Sequence, residues 1–149
     1  MERTINHDLL QGGSEMDGIE FIKTGEQVLA VIIKAGVNPE KTTFFTPDYF
    51  TQQGGFVVYP KEGHIPAHDH KFIPRSLSGT SETLFVRKGR AMVHLYDSER
   101  KFIAERELSA GDILMLVSGG HGFSLLEDTV FFEIKQGPYT GLDEKERFE

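Results

Sequence analysis

From Gly54 onward a turn signal interrupts the chain every ~8–12 residues, and the apolar runs between these breaks are too short for packed helices. Glu82–Val86, Arg90–Tyr96, Phe102–Leu108, Ile113–Val117, Phe123–Leu126 and Thr129–Lys135 read as strands. Between them stand Arg87-Lys88-Gly89, Asp97-Ser98-Glu99-Arg100, Ala110-Gly111-Asp112 and Glu127-Asp128. Short strands at this spacing, with Gly and Asp at the turns, are the rhythm of an all-β sandwich or barrel. The 16 glycines favour the same class over a helical bundle.

Upstream, Glu20–Lys34 reads as a hairpin broken at Thr24-Gly25-Glu26, and the β-branched run Val28–Ile33 as a strand buried on both faces. Gly36-Val37-Asn38-Pro39 ends it as a turn. Thr46-Pro47-Asp48 offers a cap, an N1 proline and an acidic first turn, which predicts one helical turn over Pro47–Gln52; a short helix over Ile5–Leu10 is also expected. Phe56–Tyr59 reads as a strand ended by Pro60. No linker divides the 149 residues. The expected organisation is one domain: residues 1–53 as N-terminal extension strands with a short helix, 54–140 as the barrel, and 141–149 as a charged tail that is a short helix or a frayed end.

Composition excludes several classes of function. The absence of cysteine removes disulfides, thiolate metal sites, iron–sulfur clusters and cysteine nucleophiles, and fits a reducing compartment. A net charge of −7 argues against non-specific binding to a phosphate backbone. No apolar run approaches ~18 residues, and the start lacks the apolar segment of a secretory signal. A cytoplasmic location without membrane or nucleic-acid partners is the expectation.

Six histidines carry the most chemistry: His7, His64, His68, His70, His94 and His121. In His68-Asp69-His70 the two imidazoles are at i and i+2, which on a strand places both on one side of the sheet. Two neutral imidazoles so placed suit two cis ligands on one metal. Two histidines on a solvated strand or loop are the alternative.

The surroundings of this pair add a resemblance. Gly63-His-Ile-Pro-Ala-His68-Asp-His70, followed by Glu82 with six residues before Gly89, resembles the first motif of the cupin superfamily. Gly111-Asp-Ile-Leu-Met-Leu-Val-Ser-Gly-Gly-His121-Gly-Phe resembles the second, in which a Gly-Asp turn starts a strand leading to a histidine. Two departures accompany it. Eleven residues, Lys71–Ser81, separate His70 from Glu82, where the family has only a few, and these read as an inserted loop. Val117 stands where proline is common, and His121 comes one residue early. The resemblance implies a double-stranded β-helix, a jelly-roll barrel with short peripheral helices. It also implies His68, His70, Glu82 and His121 as ligands of one divalent transition-metal ion. Such a nitrogen and oxygen donor set suits Zn, Fe, Mn or Ni (or Cu) rather than Ca or Mg.

Other polar residues read as follows. His64 is a solvated loop histidine, with a pocket-mouth or ligand role as the alternative. His94 is structural and His7 a terminal solvent residue. The inserted loop is expected to border the pocket and to choose substrate through Arg75 or Ser76, a guanidinium there suiting a carboxylate or phosphate, with an Arg75 that is only solvated as the alternative. Glu133 and Lys135 alternate with Phe131 on the last strand; facing inward, Glu133 would be an acid or base near the metal, and facing outward a surface charge.

The segments Phe44-Phe-Thr-Pro-Asp48 to Gln53 and Glu133-Ile-Lys-Gln-Gly-Pro-Tyr139 look like small stand-alone cupins of bacterial carbohydrate and polysaccharide pathways. The resemblance implies a metal-dependent enzyme of isomerase, dioxygenase or lyase type acting on a carbohydrate-derived or carboxylate small molecule. A non-catalytic small-ligand module and a metal-independent sugar-nucleotide epimerase are the alternatives. Resemblance also implies a homodimer, with Val28–Ile33 as its surface.

Overall fold

In the computed structural model, which describes residues 16–141 and 144–149, the strands are β1 (Ile19–Thr24), β2 (Gln27–Ile33), β3 (Thr43–Phe44), β4 (Gly55–Phe56), β5 (Glu82–Lys88), β6 (Arg90–Tyr96), β7 (Phe102–Ser109), β8 (Ile113–Leu116), β9 (Gly120–Leu125) and β10 (Val130–Lys135). The expected helix at Ile5–Leu10 and His7 lie outside the described residues. The chain divides into two compact units, and Asn38–Gly79 belong to the smaller. Among the described residues no helix is long and apolar enough to cross a membrane.

The larger unit holds two antiparallel sheets, ordered β1-β2-β8-β5-β10 and β7-β6-β9. Period-two alternation builds its core. Leu84 and Val86 of β5, Leu114 and Leu116 of β8, and Ala30 and Ile32 of β2 meet Val93 and Leu95 of β6 and Leu108 of β7. These side chains leave water together, the Val, Leu and Ile among them each contributing ~1.5–3 kcal/mol before chain entropy is subtracted. The all-β class follows the sequence expectation, but the strands form two open sheets and not a closed barrel. At β1, β10, β7 and β9 each sheet ends without a further strand among the described residues.

Turn chemistry falls where the sequence puts it. Gly25 (φ +57°), Gly89 (φ +82°) and Gly111 (φ +93°) adopt left-handed backbone between strands, a region that costs other residues strain. At Gly89 a Cβ would also collide with the Asp128 carbonyl. Val28–Ile33 are at most 5% exposed, because β2 lies between β1 and β8 and both its faces are covered. The run is interior, so it is not the dimer surface that its apolarity suggested.

In the smaller unit β3 and β4 form a two-stranded ribbon, Thr43 opposite Phe56 and Phe44 opposite Gly55. Phe45 packs on Phe56 at 6.0 Å between ring centroids. Pro47–Gln52 is a single turn, closed by the Phe50 N–H on the Pro47 carbonyl at 3.1 Å, and not a helix. The Gln53 amide takes the Pro47 and Phe50 carbonyls at 2.9 and 3.0 Å, replacing the backbone donors a continuing helix would supply. After Phe56 the unit has no regular secondary structure, so of the expected strand Phe56–Tyr59 only Phe56 is paired, at the end of β4.

Candidate functional site

Strand register assembles a polar cluster at one end of the larger unit, on the inner faces of its two sheets. On β5, Glu82 shares the inward parity of Leu84 and Val86 and is 8% exposed. On β9, His121 is paired with Leu95 and Phe123 with Val93, so both rings take the inward face of the three-stranded sheet. The two sheets thus bring His121 and Glu82 together from opposite sides, with Nε2 3.3 Å from Oε2. On β10, Lys135 lies opposite Glu82, Glu133 opposite Leu84 and Phe131 opposite Val86. Cross-strand partners share a face. That pairing settles the orientation of the last strand: Glu133 and Lys135 face inward and Phe132 and Ile134 outward. Phe123 and Phe131 close the cluster toward the core, their ring centroids 5.2 Å apart.

Electrostatics bias this cluster toward an ionised carboxylate. The His121 ring beside Glu82 holds its carboxyl below the usual carboxylate range; burial opposes this, and the ammonium charges of Lys145 and Lys135 reinforce it. Lys135 itself is 3.7 Å from Glu133 and 3.8 Å from Glu144, with its ammonium 5.1 Å from the centre of the Tyr139 ring. Lys145, Glu144 and Tyr139 were not among the candidates from sequence. A lone Phe148 in the otherwise charged run Glu144–Glu149 is the signal that this segment docks rather than trails in solvent.

His68 and His70 belong to the smaller unit. Their segment is not a strand, so the expected alternation does not apply to it; Pro60, Pro66 and Pro74 remove the backbone donors a ladder needs. The imidazoles are nevertheless neighbours, with centroids 5.4 Å apart and planes at 66°. His68 Nδ1 lies 2.9 Å from the Pro66 carbonyl oxygen. A carbonyl only accepts, so Nδ1 carries the proton and, in the neutral ring, Nε2 keeps its lone pair for a ligand.

The four expected metal ligands therefore occur as two pairs, His68 with His70 and Glu82 with His121. Among the described residues no group of three or more His, Asp or Glu side chains is gathered as a metal cluster. Residues 61–80 are exposed throughout, including His64, Arg75 and Ser76. His94 takes the outer face of its sheet, with Nε2 2.9 Å from Ser124 Oγ and Nδ1 3.3 Å from Glu105, in keeping with its structural reading.

The Gly111-Asp112 turn that opens the second motif acts as a structural clasp. Asp112 is 3% exposed and accepts from Ala35 N–H and Ser109 N–H, each at 2.9 Å, and from the Lys34 ammonium at 2.9 Å. It ties the start of β8 to the end of β2 and so fixes the sheet that carries Glu82. No protein-family model, no curated protein and no solved structure matches the chain.

Proposed function

We propose that the protein is a cupin-type jelly roll that binds one divalent transition-metal ion and acts on a carbohydrate-derived or carboxylate small molecule. The observation that carries this reading is the Glu82–His121 pair: one residue from each sequence motif, on facing inner surfaces, 3.3 Å apart. Connectivity supports the jelly roll. The chain changes sheet between β5 and β6, β7 and β8, β8 and β9, and β9 and β10.

The donor chemistry suits a metal. Glu82 is held ionised, and the Nδ1 bond of His68 leaves its Nε2 free to ligate. The ligand set implied by the motifs is His68, His70, Glu82 and His121, whose mixed nitrogen and oxygen donors accommodate Zn, Fe, Mn or Ni. When bound, such an ion supplies Lewis acidity toward a carbonyl or enediol oxygen. The protein's own contribution is to keep Glu82 anionic and to present Glu133 on the inner face as a proton acceptor or donor. A substrate and a second copy of the chain are the proposed partners.

A second reading draws on the same pair. A histidine oriented by a carboxylate is an acid–base unit in its own right, and supports metal-independent proton transfer. Elemental analysis of the purified protein and of His70→Ala, Glu82→Gln and His121→Ala decides between them. The metal reading expects one ion per chain in the wild type and greatly reduced metal in all three variants, with strand content retained. Metal that is absent, or unaffected by the substitutions, would overturn it. Activity that survives exhaustive chelation would favour the second reading.

A further inference from the structure

The segment Glu144–Glu149 lies against the end of the larger unit where Glu82 and His121 meet, and it touches both sheets. At the five-stranded sheet, Glu144 Oε2 is 3.8 Å from the ammonium of Lys135, the residue directly opposite Glu82. At the three-stranded sheet, the Phe148 ring stands edge-on to Tyr96 at 5.1 Å and takes the Arg100 guanidinium at 5.2 Å. Arg100 also holds Glu146 at 2.9 Å. The Phe148 ring comes so close to Gly120, the neighbour of His121, that a Cβ at that position would lie 2.6 Å from it. A side chain at Gly120 would displace the ring.

Lys135 is the inward-facing cation of the cluster on β10, and the side chains of Lys135 and Glu144 are only 20% and 16% exposed. Glu133 of the same strand lies 3.7 Å from this ammonium, and the strap segment brings a second carboxylate to it from outside the sheet. Resting on the small-molecule reading above, we propose that Lys135 is the carboxylate-binding position of this site and that Glu144 is its internal occupant, displaced when a carboxylate ligand enters. Phe148 and Arg100 anchor the strap at its far end, so displacement of Glu144 releases a short segment and leaves the sheets intact. The ligand class follows from the occupant: a small organic carboxylate replaces a glutamate side chain like for like.

Limited trypsinolysis tests this, because Lys145 and Arg147 are exposed cleavage sites within the strap. Succinate is the probe and uncharged succinamide the control, each applied to the purified protein and again after chelation. Succinate is expected to speed cleavage at Lys145 and Arg147 in the wild type about fivefold or more, the lower range of ordinary coupling between a ligand and a contact it displaces. Succinamide is expected to leave it unchanged. Glu144→Gln and Phe148→Ala should be cut rapidly without any ligand, and Lys135→Met should lose the response to succinate. The proposal is overturned if succinate does not change cleavage in the wild type, if Glu144→Gln behaves as the wild type, or if Lys135→Met still responds. Metal content is read separately, so a response that persists after chelation separates failure of the metal reading from failure of this one.

Discussion

Asp112 shows how one residue of a sequence motif serves the fold before it serves chemistry. Burial alone would raise its pKa, but the Ser109 N–H, the Lys34 ammonium and the Ala35 N–H together outweigh burial, and the net shift is downward. A carboxyl with a folded-state pKa below its unfolded value stabilises the protein above the unfolded value, ~3.9, and that contribution is lost as pH falls through the folded one. Asp112→Ala is expected to cost about 2–3 kcal/mol at pH 7, since it strands the Ala35 and Ser109 N–H groups, while the Lys34 ammonium keeps the Glu107 carbonyl. Urea unfolding at pH 7 and at pH 3 checks this: the gap between wild type and variant should narrow at the lower pH. Glu82 carries the same sign. Its pairing with His121 contributes above the ordinary carboxylate range and is lost on acidification through its lowered pKa.

Among the elements, β5 turns Glu82 inward despite the long spacer before it. The facing of Glu82 is set by pairing with Leu116 of β8 and Lys135 of β10, not by the length of chain that precedes it. Replacing Lys71–Ser81 with a short Gly-Ser linker is therefore expected to leave the two sheets of the larger unit intact while altering small-ligand binding. Hydrogen exchange across β5, β8 and β10 measures the first outcome and calorimetry the second. By contrast, shortening Leu95, which is fully buried beside the inward face of His121, should cost about 2–5 kcal/mol as Leu95→Ala in urea unfolding. The faces of β10 were not legible, because Val130-Phe131-Phe132-Glu133-Ile134 is apolar on both sides; only the cross-strand register resolves them.

At the scale of the whole molecule, alternation carried the sequence reading through the sheets and failed where alternation ends. The strand limits at β6 match the sequence expectation, and those of β5, β7, β8 and β10 fall within two residues of it. His68 and His70 lie where prolines prevent a ladder, so the i, i+2 rule has no sheet to act on, even though the rings remain adjacent. The docked strap was missed because a charged run reads as a solvated end, while its anchoring combines the Phe148 ring with the Arg100–Glu146 and Lys135–Glu144 pairs. If the metal reading holds, added metal stabilises the folded protein by mass action, about 2.7 kcal/mol at a hundredfold excess over Kd. Thermal unfolding should show that rise in the wild type and lose it in His121→Ala.

The register between β10 and β5 shifts between Val130 and Phe131, which face Lys88 and Val86, so the extra residue of this bulge is Arg87 of β5. A bulge absorbs an extra residue by local bending and leaves the pairing beyond it in register. Chain length at the turn end of the β5–β10 ladder can therefore drift over generations of sequence change without disturbing the inner face. Past Phe131 the tolerance ends: one residue inserted or lost there turns the acid and the cation out to solvent and drives Phe132 and Ile134 inward. The ladder is thus permissive at its turn end and parity-locked beyond Phe131, and a library of single-residue insertions along residues 86–88 and 127–135 would trace that boundary.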